Sequence, residues 1–124
     1  HLVDQKQLLE YSRVSGDNNP LHLDSEFAQN TIYKKPIAQG MLILAFISEM
    51  LTNSFGLGWV TKGNIHVRFK NPVYPGDTIT TEGLFKGAST DKEILVYQVT
   101  CRNQSNVDVI TGEVTLPATF IADI

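Results

Sequence analysis

With 124 residues, formal net charge −3, and 42% hydrophobic against 19% charged residues, the chain has the size of one domain and enough apolar material for its own core. A chain this long buries about two-thirds of its unfolded surface and needs no metal or disulfide staple, while its single cysteine, Cys101, has no internal partner and points to a reducing compartment, the cytoplasm. Thirteen acidic against ten basic residues, with no basic run, argue against nucleic acid, and the longest apolar run, Met41 to Ile47, is far short of the roughly 20 residues a membrane span needs.

Residues 1 to 56 carry helical patterning and residues 57 to 121 strand patterning, with no repeat or charge block between them, so 1–124 reads as a single domain. A first helix is predicted from about Asp4 to Ser15, capped by Asp4, with Leu8, Tyr11 and Ser15 on one side and Leu9 and Ser12 close by. Gly16 supplies the left-handed residue at which helices stop. Asp17 to His22 is dense in turn formers and reads as an ordered loop. Ser25 is predicted to cap a short helix through Gln29 that buries Phe27 and Ala28, and Pro36 keeps the chain before it out of helix. The longest helical pattern runs from Gly40 to about Phe55. Apolar residues surround its first two turns, as in a helix buried on all sides, and Gly56 and Gly58 end it.

From Asn64 the period changes to two: Ile65, Val67 and Phe69 alternate with His66, Arg68 and Lys70 in a strand with one wet face. A turn at Tyr74 to Asp77 and strands over 78–87, 93–104 and 108–119 follow. Short links favour an antiparallel sheet, and one buried helix with one such sheet gives an α+β fold in which the sheet wraps the helix. The open edge of that sheet favours dimerisation.

The chemistry concentrates in Ser15-Gly16-Asp17-Asn18-Asn19-Pro20-Leu21-His22, where a carboxylate and an imidazole stand five residues apart in a restricted loop. Gly16 permits a sharp exit from the helix, and Pro20 fixes its own φ while limiting Asn19. General acid–base catalysis needs such stiffness, because both groups must reach one water or one proton at about 3 Å. Residue type and spacing alone favour the plainer reading, in which Asp17 caps a turn and His22 packs against the loop.

Tyr11-x-x-Val14-Ser15-Gly16-Asp17-x-Asn19-Pro20-Leu21-His22 closely resembles the signature of the MaoC-like, (R)-specific enoyl-CoA hydratases, which have a hot-dog fold with an antiparallel sheet around a long central helix. Pro36-Ile37-Ala38-Gln39-Gly40-Met41-Leu42 resembles the approach to that helix. Val73-Tyr74-Pro75-Gly76-Asp77-Thr78 is similar to the family's strand-turn-strand segment, and Thr111-Gly112-Glu113-Val114 to its last strand, so the likeness covers nearly the whole chain in order. The resemblance implies that Asp17 and His22 act as a catalytic pair on a water, with Asn19 as a supporting amide. The implied reaction is reversible syn hydration of a trans-2-enoyl-CoA to an (R)-3-hydroxyacyl-CoA. The CoA thioester is substrate and no cofactor is called for. A hydrogen-bonded pair titrates as a unit, so the division of proton steps between its members stays open.

Hydrating a thioester-conjugated alkene also requires a donor for the charge that grows on the thioester oxygen. Gly40 opens the buried helix, where N–H groups are unpaired and the dipole favours negative charge; position alone nevertheless favours a packing or turn glycine, since glycines are common at helix starts. The resemblance places the thioester-binding N–H there. Ser48 matches a substrate-facing position of the family, and a hydroxyl bonded back to the Leu44 carbonyl stands as an equal alternative.

Two features depart from the resemblance. Gln39 stands where family members often carry His, keeping hydrogen-bonding capacity without proton exchange. Only His1, Leu2 and Val3 precede the first helix, where the family often has a strand; either that strand was removed, as a start at His1 rather than Met suggests, or the chain manages with a reduced edge. No secretory leader is visible. His1, His22, His66 and Cys101 are scattered without ligand spacing, so no metal site is expected. Gly56-Leu57-Gly58 reads as a helix stop, and Lys62, Arg68, Lys70 and Lys86 fit CoA phosphates and a solvated strand face equally well. Competing readings are a carrier-protein dehydratase or thioesterase on the same fold, and a non-catalytic acyl-CoA-binding subunit. In each, a homodimer is expected.

Overall fold

In the computed structural model, which describes residues 1–118, helix α1 (Gln5–Ser15) starts at a reciprocal cap. Asp4 accepts the Gln7 N–H at 2.8 Å and the Gln7 side chain accepts the Asp4 N–H at 3.1 Å. Gly16, at φ 81°, closes the helix by donating to the Ser12 carbonyl. The buried stripe is Leu8 and Ser12, whereas Tyr11 is half-buried and Ser15 and Leu9 are exposed. The predicted side was therefore turned by about one position, because a polar Ser12 finds partners inside.

Helix α2 (Pro20–Leu23) occupies what reads in sequence as loop. Asn19 caps it, accepting the Leu21 N–H at 3.0 Å, and Pro20 sits at the first helical position, where its missing N–H costs nothing. Helix α3 (Ser25–Gln29) is capped by Asp24 rather than Ser25, since one carboxylate oxygen accepts the N–H groups of both Glu26 and Phe27. Ala28 is buried as expected; Phe27 is exposed.

Helix α4 (Gly40–Phe55) is the central helix. Ile43, Phe46, Ile47 and Leu51 are buried, each contributing roughly 1.5–3 kcal/mol. It is not buried all round: Met41, Ala45 and Glu49, four residues apart, form an open stripe, because the sheet covers one side only. Gly56 ends α4, but Gly58 does not stop the chain. Helix α5 (Leu57–Lys62) follows at once, in a stretch expected to belong to the strand region. Trp59 anchors α5 by packing on the core and donating its indole N–H to Ser48 Oγ at 3.1 Å. A Cβ on Gly63 would collide with the Trp59 ring, so the exit from α5 requires glycine.

Strands β1 (Asn64–Phe69), β2 (Thr80–Ala88), β3 (Ile94–Arg102) and β4 (Asp108–Pro117) form one antiparallel sheet in the order β1-β4-β3-β2. The end of the last predicted strand, Thr119, lies outside the described residues. Val99, Cys101, Ile110, Val114 and Leu116 face α4, giving the α+β hot-dog arrangement of a sheet against a central helix. Burial pushes the Cys101 thiol up to about 12. His66, Arg68 and Lys70 are exposed as predicted. Phe69 is 55% exposed instead of core-facing, because its ring lies over the start of α4 at the end of an edge strand. Ahead of α1, Val3 donates to the Asp77 carbonyl and Ile79 to that of His1, so residues 1–3 lie antiparallel to 77–79 as a short edge pairing. The predicted Tyr74–Asp77 turn is closed by the Asp77 N–H on the Tyr74 carbonyl at 2.9 Å. Among the described residues no helix is long and apolar enough to cross a membrane.

Candidate active site

The site begins with backbone bonds that leave the Asp17–His22 segment few alternatives. Ser12 Oγ donates to the Asp17 carbonyl at 2.5 Å, Ser15 Oγ accepts the Asp17 N–H at 3.1 Å, and Asp17 Oδ1 accepts the Asn19 N–H at 3.2 Å. Asn19 spends its side-chain oxygen on capping α2, the helix that carries His22. Gln5 Nε2 donates to the His22 carbonyl at 3.0 Å, and Ile37 N–H to that of Leu21 at 3.3 Å, tying α2 to α1 and to the segment before α4.

His22 Nδ1 lies 2.7 Å from the Ile37 carbonyl oxygen. A carbonyl only accepts, so Nδ1 carries the hydrogen and the neutral ring presents the lone pair of Nε2. That Nε2 is 3.7 Å from Asp17 Oδ2, with the His22 side chain 11% and the Asp17 side chain 44% exposed. The separation is too long for a direct hydrogen bond. With His22 neutral, two acceptors face each other, an arrangement suited to holding the two hydrogens of one water and leaving its oxygen free to attack.

His22 lines a cavity of about 280 Å³ together with Tyr33, Gly40, Ile43, Phe69 and Val73. The wall is mainly apolar, and Lys70 and Asn71 add polar groups. Asp17 does not line the cavity itself; it approaches through His22. Gly40 is the first residue of α4, and Gln39 before it makes no side-chain cap, so among the described residues the Gly40 N–H has no protein acceptor. A Cβ on Gly40 would stand 2.9 Å from Phe69 Cε1, so a larger residue would have to push that ring aside, whereas glycine leaves the backbone open beneath it. The sixteen residues of α4 direct the positive end of their dipole at this point.

Of the predicted site residues, Asp17, His22 and Gly40 are thus brought to one place, and Asn19 serves through the cap of α2. Ser48 lies elsewhere: its hydroxyl is held by Trp59, not by the Leu44 carbonyl, and it is not part of the cavity wall. Sequence reading missed Tyr33 and Phe69 as lining residues, and it missed Ser12 as the donor that holds the Asp17 carbonyl. The available signal was a serine four residues from Leu8 on the buried side of α1. Among the described residues no group of three His, Cys, Asp or Glu side chains is arranged to hold a metal.

Known proteins share both the sequence and this architecture. The (R)-specific enoyl-CoA hydratase of Rhodospirillum rubrum is 32% identical over 114 residues, which span 92% of this chain and 78% of that one. The enzyme of the same name from Aeromonas caviae is 35% identical over 104 residues, covering 83% and 77%. A solved structure described as the (R)-hydratase from A. caviae involved in PHA biosynthesis superposes with TM-score 0.83 at 29% identity, over 94% of this chain and 88% of that one. The family model for the MaoC like domain matches residues 2–107. With the helix-in-sheet fold in place and this match spanning most of the sequence, the chain belongs to the MaoC-like domain family.

Proposed function

We propose that the chain is an (R)-specific enoyl-CoA hydratase, a hydro-lyase that adds water across the double bond of a trans-2-enoyl-CoA. The observation that carries this reading is that His22, paired with Asp17, and the open N–H of Gly40 meet at one apolar-walled cavity. The relatives named as hydratases, 32% and 35% identical, support the substrate class and the (R) outcome.

Water held between Asp17 and His22 attacks the β-carbon as the C=C π electrons move toward the thioester. The oxygen of that carbonyl gains negative charge, and the Gly40 N–H at the positive end of α4 stabilises it. The pair removes one proton from the attacking water and supplies one to the α-carbon, ending in its starting protonation state. Since the water approaches from the side that carries the pair, both additions occur on one face, which is syn hydration. No electrons leave the substrate, so acid–base groups and one donor suffice and no cofactor enters the scheme. Asn19 supports the pair by holding α2.

The working unit in this reading is a cytoplasmic homodimer. Met41, 58% exposed, and Ala45 on the open stripe of α4, with the exposed Phe69 and Phe85, are apolar surface that a second copy would cover. The decisive assay adds crotonyl-CoA, follows loss of the enoyl absorbance, and couples the product to (R)- and (S)-specific 3-hydroxyacyl-CoA dehydrogenases. Product oxidised only by the (R) enzyme is expected. Release of free CoA without hydration would replace this reading with a thioesterase, and acyl-CoA binding without turnover would replace it with a binding subunit. Sedimentation as a stable monomer at micromolar concentration would remove the dimer.

A further inference from the structure

The proposed chemistry joins two segments far apart in sequence: Asp17, which follows α1, and the Gly40 N–H, which opens α4. Their spacing must hold closely, because a displacement near 1 Å costs about a hundredfold in rate. Yet Asp17, Asn18 and Asn19 are all exposed, and the bonds within their segment are local ones.

His22 is held by the Ile37 carbonyl, whereas the tie of Asp17 to the interior runs through Gln39. Its side chain is 1% exposed and turns back from the start of α4 into α1. Nε2 donates to the Leu8 carbonyl at 2.9 Å and to Ser12 Oγ at 3.3 Å. Ser12, also buried, passes the connection on by donating to the Asp17 carbonyl at 2.5 Å. The peptide that links Gln39 to the next residue is the one that presents the Gly40 N–H, so a single residue is bonded toward both halves of the site. Its other amide atom, Oε1, is buried with no hydrogen-bond partner among the described residues. An apolar side chain of equal size would fill the space without that desolvation cost. What packing cannot replace is the donor end.

From this geometry we infer that Gln39, acting through Ser12, is a positioning residue that holds the Asp17–His22 pair in register with the Gly40 N–H. The inference rests on the hydratase reading for its kinetic consequence, and it has a readout that does not. Gln39→Met removes both donated bonds at similar volume; Ser12→Ala cuts the link to Asp17 together with the Gln39–Ser12 bond and leaves Gln39 bonded to the Leu8 carbonyl.

Each variant is assayed with crotonyl-CoA, melted thermally, and characterised by NMR at the His22 ring, which faces Asp17 and the Ile37 carbonyl. Both variants are expected to lower kcat by about 10- to 100-fold with KM within about threefold, and to displace the His22 ring resonances although neither substituted side chain hydrogen-bonds that ring. Unchanged kcat together with unchanged ring resonances overturns the inference, as does a kcat loss accounted for by the unfolded fraction. Should Gln39→Met fail to fold, Ser12→Ala decides by the same criteria. A parent protein that does not hydrate, but whose His22 ring resonances move in the variants, sinks the hydratase reading and leaves the positioning role standing.

Discussion

Asp17→Asn separates stability from catalysis at the candidate pair. The substitution keeps the side-chain outline and an oxygen for the Asn19 N–H, now 3.2 Å away. It removes the negative charge 3.7 Å from His22 Nε2 and allows an amide N–H to be aimed at that lone pair, occupying the base. With His22 neutral and the Asp17 side chain 44% exposed, any charge interaction between them is solvent-screened and worth no more than about 0–1 kcal/mol to folding. The melting temperature should therefore move by less than about 5 °C. Catalysis has more to lose: a positioned acid–base group supplies about 10²- to 10⁴-fold, or roughly 3–5 kcal/mol of barrier. Initial rates with crotonyl-CoA beside a thermal melt measure both quantities. A folded variant that keeps more than about a tenth of the parent kcat would take Asp17 out of the mechanism.

Asn19→Ala should lose the cap of α2, costing about 1 kcal/mol in urea denaturation, with a fall in kcat larger than that loss explains because the helix carries His22. Ile47→Ala, at a fully buried position on α4, should cost about 2–5 kcal/mol by the same denaturation. Cys101 should resist thiol reagents until the protein unfolds. Its folded thiol, at about 12, keeps its proton well above the ordinary value of 9.0, so its contribution to stability is complete below about pH 9 and lost as pH rises toward 12. Denaturation of Cys101→Ala beside the parent over that range should show this pH-dependent loss in the parent and not in the variant.

Local pattern carried much of this protein. The period-two alternation of Ile65, Val67 and Phe69 and the length and apolarity of Gly40 to Phe55 state strand and helix before any packing is known, because each follows from backbone geometry within one element. The loop from Gly16 to His22 was equally legible as a place where a carboxylate and an imidazole are held stiffly. Its Asn19-Pro20 pair also contained the start signal of α2, overlooked because a helix of four residues leaves almost no periodicity. Helix α5 was hidden for a related reason: six residues between glycines form a helix when Trp59 can pack on the core and bond Ser48, a partner eleven positions away.

Tertiary structure alone decided the rest, since burial depends on which element faces which. It exposed Phe69 although its strand phase pointed inward, laid its ring over Gly40, and left one stripe of α4 uncovered. It chose the His22 tautomer through the Ile37 carbonyl, fifteen residues on. It also joined Gln39 to Ser12 across 27 residues. No periodicity encodes a bond of that kind: a buried amide takes whatever acceptor the folded chain brings within reach, and the chain reaches that arrangement only when the helices have packed.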